Sequence, residues 1–217
     1  MTLLINMRYR DNKCFYAGSV CHVYNRGVNK EDIFKEVADY SAFLLRLGIL
    51  LGLPKPASSR LHIQPFKGGD FTLFAYCLMP NHFHLQIRQN GSAAIGELVH
   101  KLCTSYGMYF NRKYERLGSV WQDTFKAKDV TDDPYMLILN AYIHNNPTDP
   151  NTYSFSSYKD YLGVRTSRLC DTSFVLGMFN NSISAYTSFV EGWRVKDPKK
   201  FLFWEEQQKG HPFKHKG

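Results

Sequence analysis

The segment spanning residues 71–88 constrains the fold more than any other. Phe71 to Met79 is apolar and aromatic, Pro80-Asn81 interrupts it, and 82–88 resumes with strict alternation. Successive side chains on a strand point to opposite sides, so His82, His84, Gln86 and Arg88 share one face while Phe83, Leu85 and Ile87 share the other. Strand, turn and strand are therefore expected, with a polar working face over a buried one.

The flanking sequence supplies further elements. CFYAGSVCHVYNRG, residues 14–27, reads as a strand closed by an Asn-Arg-Gly turn, and Asn29 is in place to cap a helix over 30–47. Gly52, Pro54, Pro56 and Gly68-Gly69 make 48–69 a loop or insertion. Within 92–112, Ile95, Leu98, Val99, Leu102, Tyr106, Tyr109 and Phe110 form a helical stripe. A short strand is expected up to Val130. Asp132 or Asp133 then caps a helix with Pro134 in its first turn, ending before Pro147. Beyond Asp149 the chain turns aromatic and Ser-rich, with helices expected near 174–179 and 184–193. It ends in a Lys-rich stretch holding Lys196, Lys199, Lys200, Lys209, Lys214 and Lys216. This order predicts an α+β fold, an antiparallel sheet covered by helices.

Composition narrows the function classes. Hydrophobic residues at 44% and aromatics at 15% of 217 residues can fill a core, which argues against disorder. The most apolar helical candidate, 40–53, is interrupted by Arg46 and closed by Pro54, so no membrane span is expected. The first residues lack an export signal, which predicts an intracellular, cytoplasmic protein. Five cysteines, Cys14, Cys21, Cys77, Cys103 and Cys170, form no CxxC pair and read as reduced thiols. The net charge of +8 favours a polyanionic partner without naming it.

Three features can carry chemistry. His82 and His84, two apart on a strand, can grip one divalent cation, although surface or hydrogen-bonded histidines are the plainer reading of the spacing alone. Tyr142 and Asn146, four apart on a helix, can bring a phenol and an amide oxygen to one small volume, or pack and end the helix. Tyr106 and Tyr109 are competing phenols whose apolar neighbours favour packing. Trp121-Gln122 is a third, with sheet anchoring as its plain reading.

The ordered set of segments HVYNRG (22–27), AYCLMPNHFHL (75–85), SYGMYFNRKY (105–114), GSVWQDTFKA (118–127) and YIHNNP (142–147) resembles the IS200-like transposase family. That family includes the REP-associated tyrosine transposases and belongs to the HUH endonuclease superfamily. The resemblance covers about residues 14–190 and implies a ferredoxin-like antiparallel sheet with packed helices. It implies a tyrosine transposase core over 1–148, with the insertion at about 48–69. A mainly helical, basic extension over 149–217 would pack on or beside it.

The resemblance further implies that His82, His84 and Asn146 hold Mg²⁺ or Mn²⁺, and that Tyr142 is the nucleophile. A phenol has an ordinary pKa near 10, so a metal-assisted site is needed to make it attack phosphorus. The implied activity is nicking and rejoining of single-stranded DNA near hairpins through a 5′-phosphotyrosine, the chemistry of DNA transposition and recombination. Arg26, Arg88, Lys101, Arg112, Lys113, Arg116, Lys126 and Lys128 are candidate DNA contacts, with His144 a further neighbour of the strand. Asp123-Thr124 stands where relatives carry more basic character. The alternatives are a catalytically inactive hairpin-binding or regulatory protein of the same fold and, more remotely, an RNA-binding accessory protein. A homodimer and a monomer are both compatible with the sequence.

Overall fold

The computed structural model describes residues 16–194; the Lys-rich end lies outside them. Four strands, β1 (Val20–Arg26), β2 (Phe71–Met79), β3 (His82–Gln89) and β4 (Lys126–Val130), form one sheet in the order β2-β3-β1-β4. Every neighbouring pair is antiparallel. Helix α1 (Val37–Leu50) joins β1 to β2, and α2 (Ile95–Lys113) joins β3 to β4. This is the antiparallel α+β sheet expected from the element order, in the ferredoxin-like topology that the family resemblance implied, with β3 inserted between β1 and β2.

The two-residue period decides which face each helix covers. Cys21, Val23, Phe83, Leu85 and Ile87 point to one side, where they are sealed by Phe43 and Leu47 of α1 and Leu98, Leu102 and Tyr106 of α2. Helix α3 (Asp133–His144) lies on the other side, its Leu139 and Ile143 meeting Ala75 and Cys77 of β2. As predicted, Asp132 caps α3, its side chain accepting from Tyr135 N at 2.7 Å, and a proline stands in the first turn. Three short helices, α4 (Tyr158–Tyr161), α5 (Ser173–Gly177) and α6 (Ile183–Gly192), follow. Tyr158, Tyr161, Val175, Tyr186 and Val190 close over Phe74, Met136 and Ala141. Among the described residues no helix is long and apolar enough to cross a membrane.

Helix α1 starts later than expected. Asn29 and Lys30 take left-handed φ values of 54° and 61° around a short 3₁₀ turn, so Asn29 caps nothing. Glu36 is the N-cap instead, with a reciprocal capping box to Asp39. The turn before it depends on Gly27, where a Cβ would lie 2.2 Å from Glu31 O.

Candidate active site

The pairing register builds the polar face. Tyr24 lies opposite His84 on one side and Lys126 on the other, His22 lies opposite Gln86 and Lys128, and Arg26 lies opposite His82. Alternation then puts His22, Tyr24, Arg26, His82, His84, Lys126 and Lys128 on the face that α3 partly covers. Tyr142, near the end of α3, turns its ring edge toward His84 at a centroid distance of 5.5 Å and toward His22 at 6.0 Å. His82 and His84 are 5.1 Å apart by the same measure.

Asn146 is fixed by the way α3 ends. Its amide nitrogen donates to Tyr142 O at 3.0 Å, satisfying a carbonyl that the finished helix leaves open. The same side chain lies close enough to His82 to favour its protonated form. The ring nitrogen Nδ1 of His82 is 2.6 Å from Asn81 Oδ1, and Nδ1 of His84 is 2.8 Å from Nε2 of His22. Both rings thus have one nitrogen anchored within the protein.

Electrostatics favours neutral imidazoles. Burial pushes the pKa of His82 down, the Asn146 side chain opposes this, and nearby Arg26 adds to the lowering. His84 is held well below the usual imidazole value by burial first, then by His22 and His82. A neutral imidazole keeps the lone pair that a metal requires. Among the described residues no group of three or more His, Cys, Asp or Glu is placed to hold a metal.

A cleft of about 500 Å³ opens beside the histidines, lined by Tyr24, Arg26, Asn81, His82, His84, Gln122, Asp123 and Lys126. Arg26 Nε donates to Gln122 Oε1 at 2.7 Å, which gives Gln122 a role at the rim beyond the anchoring of its neighbour. Trp121 itself packs into the α1/α2 core and donates from Nε1 to Cys103 O at 2.9 Å.

The remaining sequence candidates separate. Arg26, Lys126 and Lys128 flank the histidines. Lys101, Arg112 and Lys113 line a different groove on the outer side of α2, across the sheet. Arg116 pairs with Glu31 at 3.1 Å. Arg88, six residues along β3 from His82, lies over Phe74 and Phe174 and donates to Asn90. His144 requires a correction: it is fully buried, with Nδ1 2.6 Å from Tyr186 Oη and Nε2 2.7 Å from Ser157 Oγ, so it offers nothing to a DNA strand. The competing phenols lie across the sheet from the histidines, Tyr106 donating to Ile33 O and Tyr109 to Asp39.

His22 is the residue that sequence reasoning missed. It lies within the quoted HVYNRG segment, but nothing in a two-residue period says which strand will pair with which. Only the β1–β3 register brings it beside His84.

Residues 61–146 match the family described as transposase IS200 like. No curated protein matches the chain. Among solved structures, a REP-associated tyrosine transposase bound to a REP hairpin aligns over 75% of this chain and 96% of its own length, with a TM-score of 0.53 and 12% identity. At that identity the likeness establishes the fold, while the family match spans His82, His84, Tyr142 and Asn146. The 61–146 segment is thus similar to the IS200-like transposases, and the fold around it is similar to that of the REP-associated relative.

Proposed function

We propose that the chain is a transposase-type enzyme that nicks and rejoins single-stranded DNA beside hairpins. Tyr142 is the nucleophile, and His82, His84 and Asn146 are the residues that hold Mg²⁺ or Mn²⁺. The observation that carries this reading is the convergence of those four side chains at one end of a single sheet face. Two anchored, neutral imidazoles and an amide oxygen are a donor set that would suit a divalent ion such as Mg²⁺ or Mn²⁺. Such an ion, when bound, stabilises charge on the scissile phosphate and on the departing oxygen.

The chain's own residues do the rest. Arg26, Lys126 and Lys128 flank the histidines and hold the strand by its phosphates. Tyr142 Oη forms a bond to phosphorus as the bond from phosphorus to the 3′ oxygen breaks. The phenol proton leaves to water and the 3′ oxygen takes one up, so the strand ends as a free 3′-hydroxyl and a 5′-phosphotyrosine. A 3′-hydroxyl attacking that phosphotyrosine reverses the bond changes and rejoins DNA without ATP. His22 acts behind this set: for His84 to offer Nε2, its proton sits on Nδ1 and is donated to His22 Nε2, which fixes the tautomer and the ring's aim. The hairpin bound by the structural relative supports hairpin DNA as the substrate class.

The test is incubation of hairpin-bearing single-stranded DNA with the protein and Mn²⁺, followed by denaturing electrophoresis. A covalent protein–DNA adduct that disappears in Tyr142→Phe is the expected result. An adduct that survives in Tyr142→Phe would remove that residue from the role, and hairpin binding without any adduct would favour the catalytically inactive alternative.

A further inference from the structure

A second groove lies away from the histidines. It encloses about 1090 Å³ on the outer side of α1 and α2, under the 60–64 stretch of the insertion. Its lining includes five cations, Arg46, Arg60, Lys101, Arg112 and Lys113, and no carboxylate. It shares no residue with the cleft beside His82, and the sheet separates the two.

Arg46 is the telling residue. It is only 5% exposed, yet its hydrogen-bond partners are all neutral: Nη1 donates to Ala42 O at 2.8 Å, and Nε reaches Ser105 Oγ at 3.1 Å and Ser105 O at 3.3 Å. A buried cation is costly unless an anion comes to meet it. Lys101 and Lys113 are partly engaged by Glu97, Glu36 and Asp39, whereas Arg60 and Arg112 are exposed at the rim. Between them the surface is apolar: Leu61 and Ile63 from the insertion face Met108, which is 71% exposed, and Tyr109.

We propose that this groove is a second nucleic-acid site, one that seats an unpaired strand with its phosphates against Arg46, Arg60 and Arg112 and its bases on the apolar floor. Cations alone would suit any polyanion. A floor of Leu61, Ile63, Met108 and Tyr109 gives base faces somewhere to lie, which a paired stem cannot use. The site lies across the sheet from Tyr142, so it holds a stretch of strand other than the one being cut. It does not depend on the nuclease reading, because none of its residues belongs to that set.

Binding of the full chain to a fluorescent oligothymidylate, measured by anisotropy without divalent metal across a salt series, tests the assignment. Replacing both rim residues, Arg60→Ala with Arg112→Ala, is expected to weaken binding about tenfold and to make the log–log salt dependence shallower by about 1.4, the value for two lost single-strand phosphate contacts. An abasic strand of equal length is expected to bind the wild-type chain less tightly. Unchanged affinity and slope in the double variant would overturn the site. Equal losses on a blunt duplex, or equal binding of the abasic strand, would overturn the unpaired-strand assignment. A wild-type chain that forms no adduct removes the nuclease reading and leaves this result standing.

Discussion

At the scale of single residues, the contact that bears most on the proposed chemistry is between His22 and His84. His84 can present only one nitrogen outward, because the other lies 2.8 Å from His22. His22 itself packs against the rings of Tyr24 and His84, at centroid distances of 4.8 and 5.1 Å, in a cluster of three mutually contacting rings that restricts its movement. Groups that orient a metal-bound histidine typically matter about 10- to 100-fold for affinity. His22→Ala is therefore expected to lower Mn²⁺ affinity by at least about tenfold, read by electron paramagnetic resonance titration, with His22→Gln restoring part of it through its amide oxygen. Unchanged affinity in His22→Ala would show that His84 needs no such support. The alternation of 82–88 made His82 and His84 legible in sequence as a pair on one face, whereas Tyr142 and Asn146, expected to share a helical face, are brought together differently: α3 ends at His144, and Asn146 reaches back to Tyr142 O from beyond it. His22 was not legible, because strand register is decided by long-range pairing.

At the scale of elements, the start of α1 and the end of α2 are tied through one buried carboxylate. Asp39 is 0% exposed and accepts from Lys35 N at 2.9 Å, Glu36 N at 3.1 Å, Tyr109 Oη at 3.0 Å and Tyr114 Oη at 2.7 Å, and pairs with Lys113. Burial alone would raise its pKa; the hydrogen bonds from Lys113, Tyr114, Lys35 and Tyr109 outweigh it and hold the value below the ordinary carboxylate range. A carboxyl depressed in the folded chain binds protons more readily when unfolded. Its contribution is thus complete above about pH 4 and is lost as pH falls through the lower, folded value. Asp39→Ala is expected to cost about 3 kcal/mol at pH 7, since it removes the acceptor shared by Tyr109, Tyr114 and two backbone N–H groups and leaves Lys113 with Glu36 as its remaining carboxylate. In urea unfolding the gap between variant and wild type should narrow below about pH 4; a gap independent of pH would contradict the assignment. The same carboxylate explains the late helix start. An expected cap at Asn29 is overridden because the capping box at Glu36 and Asp39 also engages α2, a benefit that local spacing does not reveal.

At the scale of the whole molecule, the residues after Asp149 complete the sheet as well as cover it. β2 is an edge strand, and the passing chain pairs with its open side: Leu78 N donates to Phe155 O at 2.9 Å, Ser157 N to Tyr76 O at 3.0 Å, and Tyr76 N to Ser157 Oγ at 2.9 Å. Covering an edge in this way removes a template for aggregation. A line of buried hydrogen bonds then runs from the sheet to α6. Asn140 donates to Gln86 Oε1 at 3.0 Å, Tyr186 Oη donates to Asn140 Oδ1 at 2.6 Å, and His144 links Tyr186 to Ser157. Tyr142 stands two residues from His144, so what locks the buried side of α3 also sets the aim of its other side. The sequence foresaw helices in this region but sent His144 outward, because the layer that buries it is contributed by residues more than ten positions further on. Cutting the chain after Pro147 should accordingly expose Phe74 and the β2 edge and leave Asn140 and His144 short of partners. The shortened chain is expected to lose its cooperative unfolding transition and to aggregate. A milder variant separates packing from hydrogen bonding: Tyr186→Phe keeps the ring and removes the hydroxyl, with an expected loss of about 1–3 kcal/mol in urea unfolding. A shortened chain that unfolds at the wild-type midpoint would show that the first 147 residues stand alone, with the extension only resting against them.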